Sequence, residues 1–102
     1  MLSRMIGLAT LLWASCAAAE TVRVEVNKLA FAPAQISANV GDTIEWANGD
    51  FVAHTATTRT KQWDVVIPAN GVGRMIVKTA GVFVYYCRFH PNMEGQVVVT
   101  DH

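Results

Sequence analysis

An alternation of apolar and polar residues with a period of two runs through the chain after residue 20 and constrains its fold more than any other feature. Val22, Val24 and Val26 alternate with polar residues, which is typical of a strand with one buried and one solvent-exposed face. Similar extended segments recur at residues 36–40, 43–47, 71–78, 82–86 and 96–100. No apolar repeat of period 3.6 persists for a helix of ordinary length, although residues 59–66 have room for a short turn.

Turn-forming residues separate these segments. Pro33 cannot donate to a central ladder and interrupts the pattern, while glycine, asparagine and aspartate stand between the later runs. Several short strands with regularly spaced turns predict an all-β fold, a sandwich or barrel with Greek-key connections. We expect residues 20–102 to form a single domain of this kind.

The first 19 residues are typical of a cleaved export signal. Residues 1–4 carry one positive charge, residues 5–13 are apolar, and Ala17, Ala18 and Ala19 supply the small residues that a signal peptidase requires. The apolar run is shorter than the roughly 20 residues of a membrane-spanning helix. Residues 1–19 are therefore predicted to be a signal peptide that directs the protein to the periplasm without a stable membrane span.

The two cysteines of the chain have different expected fates. Cys16 would leave with the signal, although the preceding Ala14 and Ser15 keep open the alternative of a lipidated Cys16. Cys87 would then be a single cysteine in an exported domain, where it must pair between molecules, remain a free thiol or take part in chemistry. A covalent haem motif is excluded because Phe89 stands before His90, where that motif has its second cysteine.

Four potential metal donors stand out. Cys87, His90 and Met93 follow one another at intervals of three after an apolar strand, and His54 lies 33 residues before Cys87. Two imidazoles, a thiolate and a weak thioether are the ligand types of a blue copper site, held here by two loops at one end of a sandwich. Each residue alone has an ordinary structural explanation, but their combination favours copper. Zinc is the main alternative metal, although it rarely accepts a thioether.

Five sequence motifs extend this observation to most of the chain. They are Phe31-x-Pro33, Gly41-Asp42-Thr43-Ile44-x-Trp46-x-Asn48, His54-Thr55-Ala56-Thr57, Gly81-x-Phe83-x-Tyr85-x-Cys87 and His90-Pro91-x-Met93-x-Gly95. With these motifs the chain resembles the cupredoxins, the type 1 blue copper proteins, and most closely their amicyanin and plastocyanin group.

The resemblance implies a ligand set and marks two departures from the family pattern. It implies one copper ion bound by the imidazoles of His54 and His90, the thiolate of Cys87 and the axial thioether of Met93. Phe89 stands where amicyanins often have proline. Thr55 follows the first ligand where many relatives have an asparagine that ties the two ligand loops together by hydrogen bonds.

The resemblance also implies a function. We expect a monomeric, exported carrier of one electron that meets its redox protein partners through a transient interface. The apolar docking patch would be Phe51, Phe89 and Pro91 around His90. The alternative is a periplasmic protein that binds or delivers copper without transferring electrons.

Other classes of function are disfavoured by composition. The formal net charge is zero and no basic stripe favours nucleic acid. An enzyme is not expected, because the chain has only three histidines and cannot assemble a second copper centre once two of them are assigned. A domain that keeps the fold without metal is disfavoured because all four donors are present.

Overall fold

The computed structural model describes residues 18–101, which form nine strands and no helix within that range. The strands are β1 (Thr21–Asn27), β2 (Ala30–Ala32), β3 (Gln35–Asn39), β4 (Thr43–Asn48), β5 (His54–Thr58), β6 (Asp64–Ile67), β7 (Val72–Ile76), β8 (Gly81–Tyr86) and β9 (Glu94–Thr100). The predicted all-β class is thereby confirmed. The described residues include no helix with the length and apolar character that a membrane crossing needs.

The strands are arranged in two sheets. One sheet has the order β2-β1-β4-β7 and the other the order β3-β9-β8-β5-β6. β1 pairs in parallel with β4, and β3 in parallel with β9, whereas the remaining ladders are antiparallel. Among these nine strands, three pairs that follow each other in the chain are also neighbours in a sheet: β1 and β2, β5 and β6, and β8 and β9. Most connections therefore cross from one sheet to the other.

The core lies between the sheets and is built by the period-two pattern. Along β1, Val24 and Val26 are buried while their neighbours are not. Trp46 of β4 and Tyr85 of β8 are fully buried and meet edge to face, with ring centroids 5.6 Å apart. Such contacts between large apolar side chains supply much of the stability of a small domain.

A glycine makes room for the central tyrosine. Gly95 of β9 is the register partner of Tyr85, and a Cβ atom at Gly95 would lie 2.5 Å from the Cζ and hydroxyl oxygen of that ring. The tyrosine therefore lies across the backbone of β9, and any side chain at Gly95 would displace it.

Three strands were not predicted. β2 forms a hairpin with β1 and ends before Pro33. β5 escapes a period-two search because all five of its residues are buried, including three threonines. β6 occupies part of the segment where a short turn was expected, and it forms because β5 offers it an antiparallel partner. The predictions for residues 1–17, including the fate of Cys16, concern residues outside the described range, as does the end of the predicted domain at residue 102.

Candidate metal centre

Cys87 is the first residue after β8, and the loop that follows it is closed by its own backbone. The Cys87 N–H donates to the Met93 carbonyl at 3.1 Å, the His90 N–H to the Cys87 carbonyl at 3.2 Å, and the Met93 N–H to the His90 carbonyl at 2.9 Å. These bonds fold the loop at each interval of three residues. The three donors are therefore gathered at the end of β8.

His54 reaches the same place through the sheet. It is the first residue of β5, and β5 pairs with β8 so that Thr57 lies opposite Tyr86. The prediction that two loops carry the ligands is therefore wrong for His54, because this residue lies in strand β5. His54 and Cys87 are both fully buried, and they come together although 33 residues separate them.

The donor atoms are spaced for a single ion. The Sγ atom of Cys87 lies 3.7 Å from Nδ1 of His54 and 3.7 Å from Nδ1 of His90. The donors of these three residues all lie within 4.8 Å of one another. Metal bonds of about 2.3 Å to sulfur and about 2.0 Å to nitrogen, separated by an angle of about 110–120°, place the two donors about 3.5–3.8 Å apart. The residues present therefore fit one metal ion.

Met93 completes the predicted donor set. Its side chain is buried, and its backbone bonds to both Cys87 and His90 hold it in the same loop. A thiolate and a thioether together are soft donors that select copper over hard cations such as magnesium or calcium. Two imidazoles and two sulfurs at one end of the sandwich are positioned as in a type 1 copper site.

Asp50 orients the imidazole of His54, and the sequence analysis missed it. Because Nδ1 of His54 faces Cys87, its Nε2–H donates to Oδ2 of Asp50 at 2.9 Å. The same carboxylate accepts the backbone N–H groups of Lys28 at 2.8 Å and Leu29 at 3.1 Å. These bonds lower the pKa of Asp50, the Leu29 N–H contributing most and His54 next. The only signal in the sequence was a carboxylate four residues before a candidate ligand.

The turn that binds Asp50 has an uncommon backbone. Lys28 and Leu29 have φ angles of +52° and +60°, a left-handed conformation that residues other than glycine and asparagine seldom adopt. Asp50 satisfies both N–H groups of this turn. The β1–β2 hairpin and the imidazole of His54 therefore depend on one carboxylate.

Thr55 connects the two segments that carry the ligands. Its backbone N–H donates to Sγ of Cys87 at 3.4 Å, and its hydroxyl accepts the Arg88 N–H at 2.9 Å. Hydrogen bonds to a ligating sulfur tune a metal centre, and a link between the segments keeps the donors in place. Thr55 therefore links the two ligand-bearing segments by hydrogen bonds, as the asparagine at this position does in many relatives according to the family resemblance.

The hydroxyl of Thr55 belongs to a closed ring of hydrogen bonds. The oxygens of Thr55 and Thr57 lie 2.9 Å apart, and the Thr57 hydroxyl donates to Oδ1 of Asp64 at 2.5 Å. Nε of Arg88 donates to the same carboxylate oxygen at 3.1 Å. Since each hydroxyl has one proton, Thr55 donates to Thr57. The Thr57 hydroxyl, and to a smaller extent Arg88, lower the pKa of Asp64.

Exposed apolar residues flank the donors. Phe51 is 90% exposed three residues before His54, Phe89 is 53% exposed beside His90, and Pro91 is exposed after it. His90 itself is half-buried, whereas the other three donors are buried. Of the four, His90 is therefore the least buried donor.

The cationic residues near this end are mostly paired. Arg59 lies 3.3 Å from Glu94, and its guanidinium lies 4.2 Å from the ring centroid of Tyr86. Arg88 lies 3.1 Å from Asp64. These contacts leave Arg59 and Arg88 less available to attract a negatively charged partner.

Known proteins are similar to this chain in sequence and in fold. A family model described as a cupredoxin-like domain matches residues 3–99. The amicyanin of Paracoccus versutus is 27% identical over 90 residues, which are 79% of this chain and 66% of the amicyanin. The chain thus spans slightly less than two thirds of that relative's length.

Solved structures agree with the observed fold. A reduced amicyanin variant in which phenylalanine replaces a proline is 26% identical, with a TM-score of 0.67, and the match covers 84% of this chain and 87% of that one. A purple cupredoxin from Nitrosopumilus maritimus is 22% identical, with a TM-score of 0.70, and the match covers 78% of this chain and 99% of that one. The second likeness concerns the fold alone.

The family match and the donor geometry lead to the same conclusion. Solved amicyanin variants include forms with Cu(I). One end of this sandwich brings together the donors that a copper ion requires. This chain belongs to the cupredoxin-like domain family, and its donor set is that of a copper site.

Proposed function

We propose that this protein is an exported, mobile one-electron carrier whose copper is bound by His54, Cys87, His90 and Met93. The observation that carries the proposal is the pair of 3.7 Å separations from the buried Cys87 sulfur to one nitrogen of each histidine. Copper, when bound, supplies one-electron redox chemistry between its cuprous and cupric forms.

The role of the protein is to hold the donors still. The three backbone bonds of residues 87–93 fix the loop, Asp50 fixes the ring of His54, and the ring of hydrogen bonds through Thr55 fixes the loop against β5. Donors that keep their positions in both oxidation states keep the structural rearrangement small. A small rearrangement favours fast transfer of an electron.

Electron exchange takes place at His90. This half-buried imidazole is flanked in sequence by the exposed Phe89 and Pro91, and the exposed Phe51 precedes the other histidine donor; these three apolar residues are the proposed docking patch. Redox partners commonly meet through interfaces below about 1,200 Å², which separate quickly after transfer. The formal net charge of the full chain is zero, and it becomes −1 once Arg4 leaves with residues 1–19; so small a charge suits a monomeric carrier that binds its partners briefly and without strong steering.

Export places the carrier in the periplasm. In this proposal residues 1–19 are the signal peptide and the domain begins at Glu20. An oxidising compartment suits a chain in which one cysteine is reserved for the metal.

Spectroscopy of the protein loaded with Cu(II) tests the ligand assignment. We expect an intense visible absorption from the thiolate and a narrow copper hyperfine splitting in the electron paramagnetic resonance spectrum. Cys87→Ser abolishes the colour, whereas Met93→Leu retains it and raises the reduction potential. Met75→Leu, a partly buried methionine of β7 in the opposite sheet, is the matched control and changes neither property.

The outcomes distinguish an electron carrier from a protein that only binds or delivers copper. Pale, ordinary cupric spectra contradict the carrier and favour a protein that only binds or delivers copper. Retained colour in Cys87→Ser refutes the ligand assignment.

A further inference from the structure

We propose that Asp42 is a binding site for the α-ammonium group that processing creates at Glu20, so that removal of the leader adds an ion pair to the folded domain. The inference rests on the proposed export of the protein. It concerns the corner where β1 begins beside β4, in the sheet that does not carry the metal donors.

The nitrogen of Glu20 and the carboxylate of Asp42 already lie at the distance that an ion pair between them requires. The backbone nitrogen of Glu20 lies 2.9 Å from Oδ1 of Asp42, and Oδ2 of the same carboxylate accepts the Asn39 N–H at 2.8 Å. The carbonyl of Glu20 accepts the Thr43 N–H at 2.9 Å. Glu20 is therefore anchored at both its nitrogen and its oxygen.

The ordered sheet starts where the predicted cleavage falls. β1 begins at Thr21, paired in parallel with Thr43, while Ala18 and Ala19 belong to no strand and are exposed. The bond between Ala19 and Glu20 is therefore accessible to a peptidase. Cleavage one residue later would remove the nitrogen that Asp42 holds.

Cleavage changes the charge at this nitrogen. A signal peptidase adds water across the bond, leaving the hydroxyl on the Ala19 carboxyl group and the hydrogen on the Glu20 nitrogen. The new amine has an ordinary pKa of about 7.7–8.0, so it takes up a further proton at neutral pH and becomes an ammonium. A neutral N–H donor to Asp42 is thereby replaced by a charged one.

Few other charges face the corner. The segments packed against it carry Lys78 after Val77, whose N–H donates to the Asp42 carbonyl, and Asp101 after the C-terminal strand. The Glu20 side chain is exposed. The other charged side chains of the adjoining strands are Arg23, Glu25, Glu45 and Arg74, which form ion pairs with one another.

Backbone hydrogen bonds at this corner lower the pKa of Asp42. The Asn39 N–H and then the Glu20 N–H lower it, and no charged side chain contributes. Asp42 therefore remains ionised down to acidic pH and can accept the ammonium.

The pH dependence of the pair follows from both partners. Asp42 raises the pKa of the ammonium in the folded state, so the added stability is complete below about pH 7.7 and is lost as pH rises through the raised value. Because the pKa of Asp42 is lowered, the same stability is present above about pH 3.9 and is lost as pH falls through the lowered value. The pair therefore acts between about pH 4 and pH 8.

The test compares two N-termini on the copper-loaded protein. The full chain is expressed with its own leader, and mass spectrometry of the exported product is expected to show Glu20 as the first residue. Thermal unfolding of that product is then compared with a chain that retains Ala18 and Ala19. We expect the Glu20 form to unfold about 2–6 °C higher at pH 6 and at the same temperature at pH 10.

Variants assign the difference to Asp42. Asp42→Asn removes the difference at pH 6, whereas Glu20→Ala, which keeps the amine and removes the exposed carboxylate, retains it. An NMR titration is expected to show the pKa of the α-amino group raised by about half a unit to one unit, and at its ordinary value in Asp42→Asn.

The proposal is overturned by equal unfolding temperatures at pH 6, by a difference that persists in Asp42→Asn, or by a mature protein that begins elsewhere. The blue absorption of the same samples reports on the proposed function separately, since neither N-terminus alters the metal donors.

Discussion

Replacement of Thr55 by valine tests whether the ring of hydrogen bonds holds the ligand loop. Valine has nearly the same shape but lacks the hydroxyl, so the Arg88 N–H loses its acceptor at 2.9 Å and Thr57 loses its donor at 2.9 Å. A neutral hydrogen bond contributes about 0.5–1.5 kcal/mol, and an unsatisfied buried group costs about 1–3 kcal/mol. The expected loss in the free energy of unfolding is therefore about 2–3 kcal/mol.

This loss converts into a measurable change in unfolding temperature. In a domain of this size each kcal/mol lowers the midpoint by about 4–8 °C, so Thr55→Val should melt about 10–20 °C below the parent protein. The assay is thermal unfolding of the copper-loaded protein, followed by circular dichroism. The blue colour should remain in the folded variant because the backbone N–H of residue 55 still faces the Cys87 sulfur.

A matched control separates the ring from the general effect of the substitution. Thr79→Val makes the same chemical change at an exposed position and should shift the midpoint by only a few degrees. If Thr55→Val unfolds within error of Thr79→Val, the ring contributes nothing to stability and the reasoning is refuted.

Three further predictions concern the core and the histidine ligand. Gly95→Ala forces the ring of Tyr85 to move and should lower the free energy of unfolding by about 1–3 kcal/mol in urea titrations. Gly49→Ala is its control, because the added Cβ meets no atom closer than 3.7 Å. Burial raises the pKa of Tyr85 to about 12, so the folded protein should lose stability as pH rises from about 10 to about 12, and Tyr85→Phe should abolish that dependence in alkaline unfolding curves. Asp50→Asn removes a negative charge that favours the oxidised metal through His54, and voltammetry should show the reduction potential raised by about 30–100 mV; an unchanged potential would mean that the carboxylate does not act on the metal.

The strands with one exposed face could be predicted from the sequence. Alternation reveals β1, β4 and β9 because a half-buried strand must present apolar residues on one side and polar residues on the other. β5 gives no such signal, since all five of its residues are buried and its threonines are satisfied by hydrogen bonds. The alternation that indicated β1, β4 and β9 therefore did not predict β5, the strand that carries His54.

The sequence by itself determined the class of the fold and the chemistry of the donor set, because alternation and the spacing of Cys87, His90 and Met93 are local properties of the chain. Only the tertiary structure brought His54 to Cys87, Asp50 to His54, and Thr55 to Arg88. Those contacts depend on which strands pair and in which register, and pairing is decided by burial across the whole domain. The sequence around a residue does not indicate which distant residue it will contact in the folded domain.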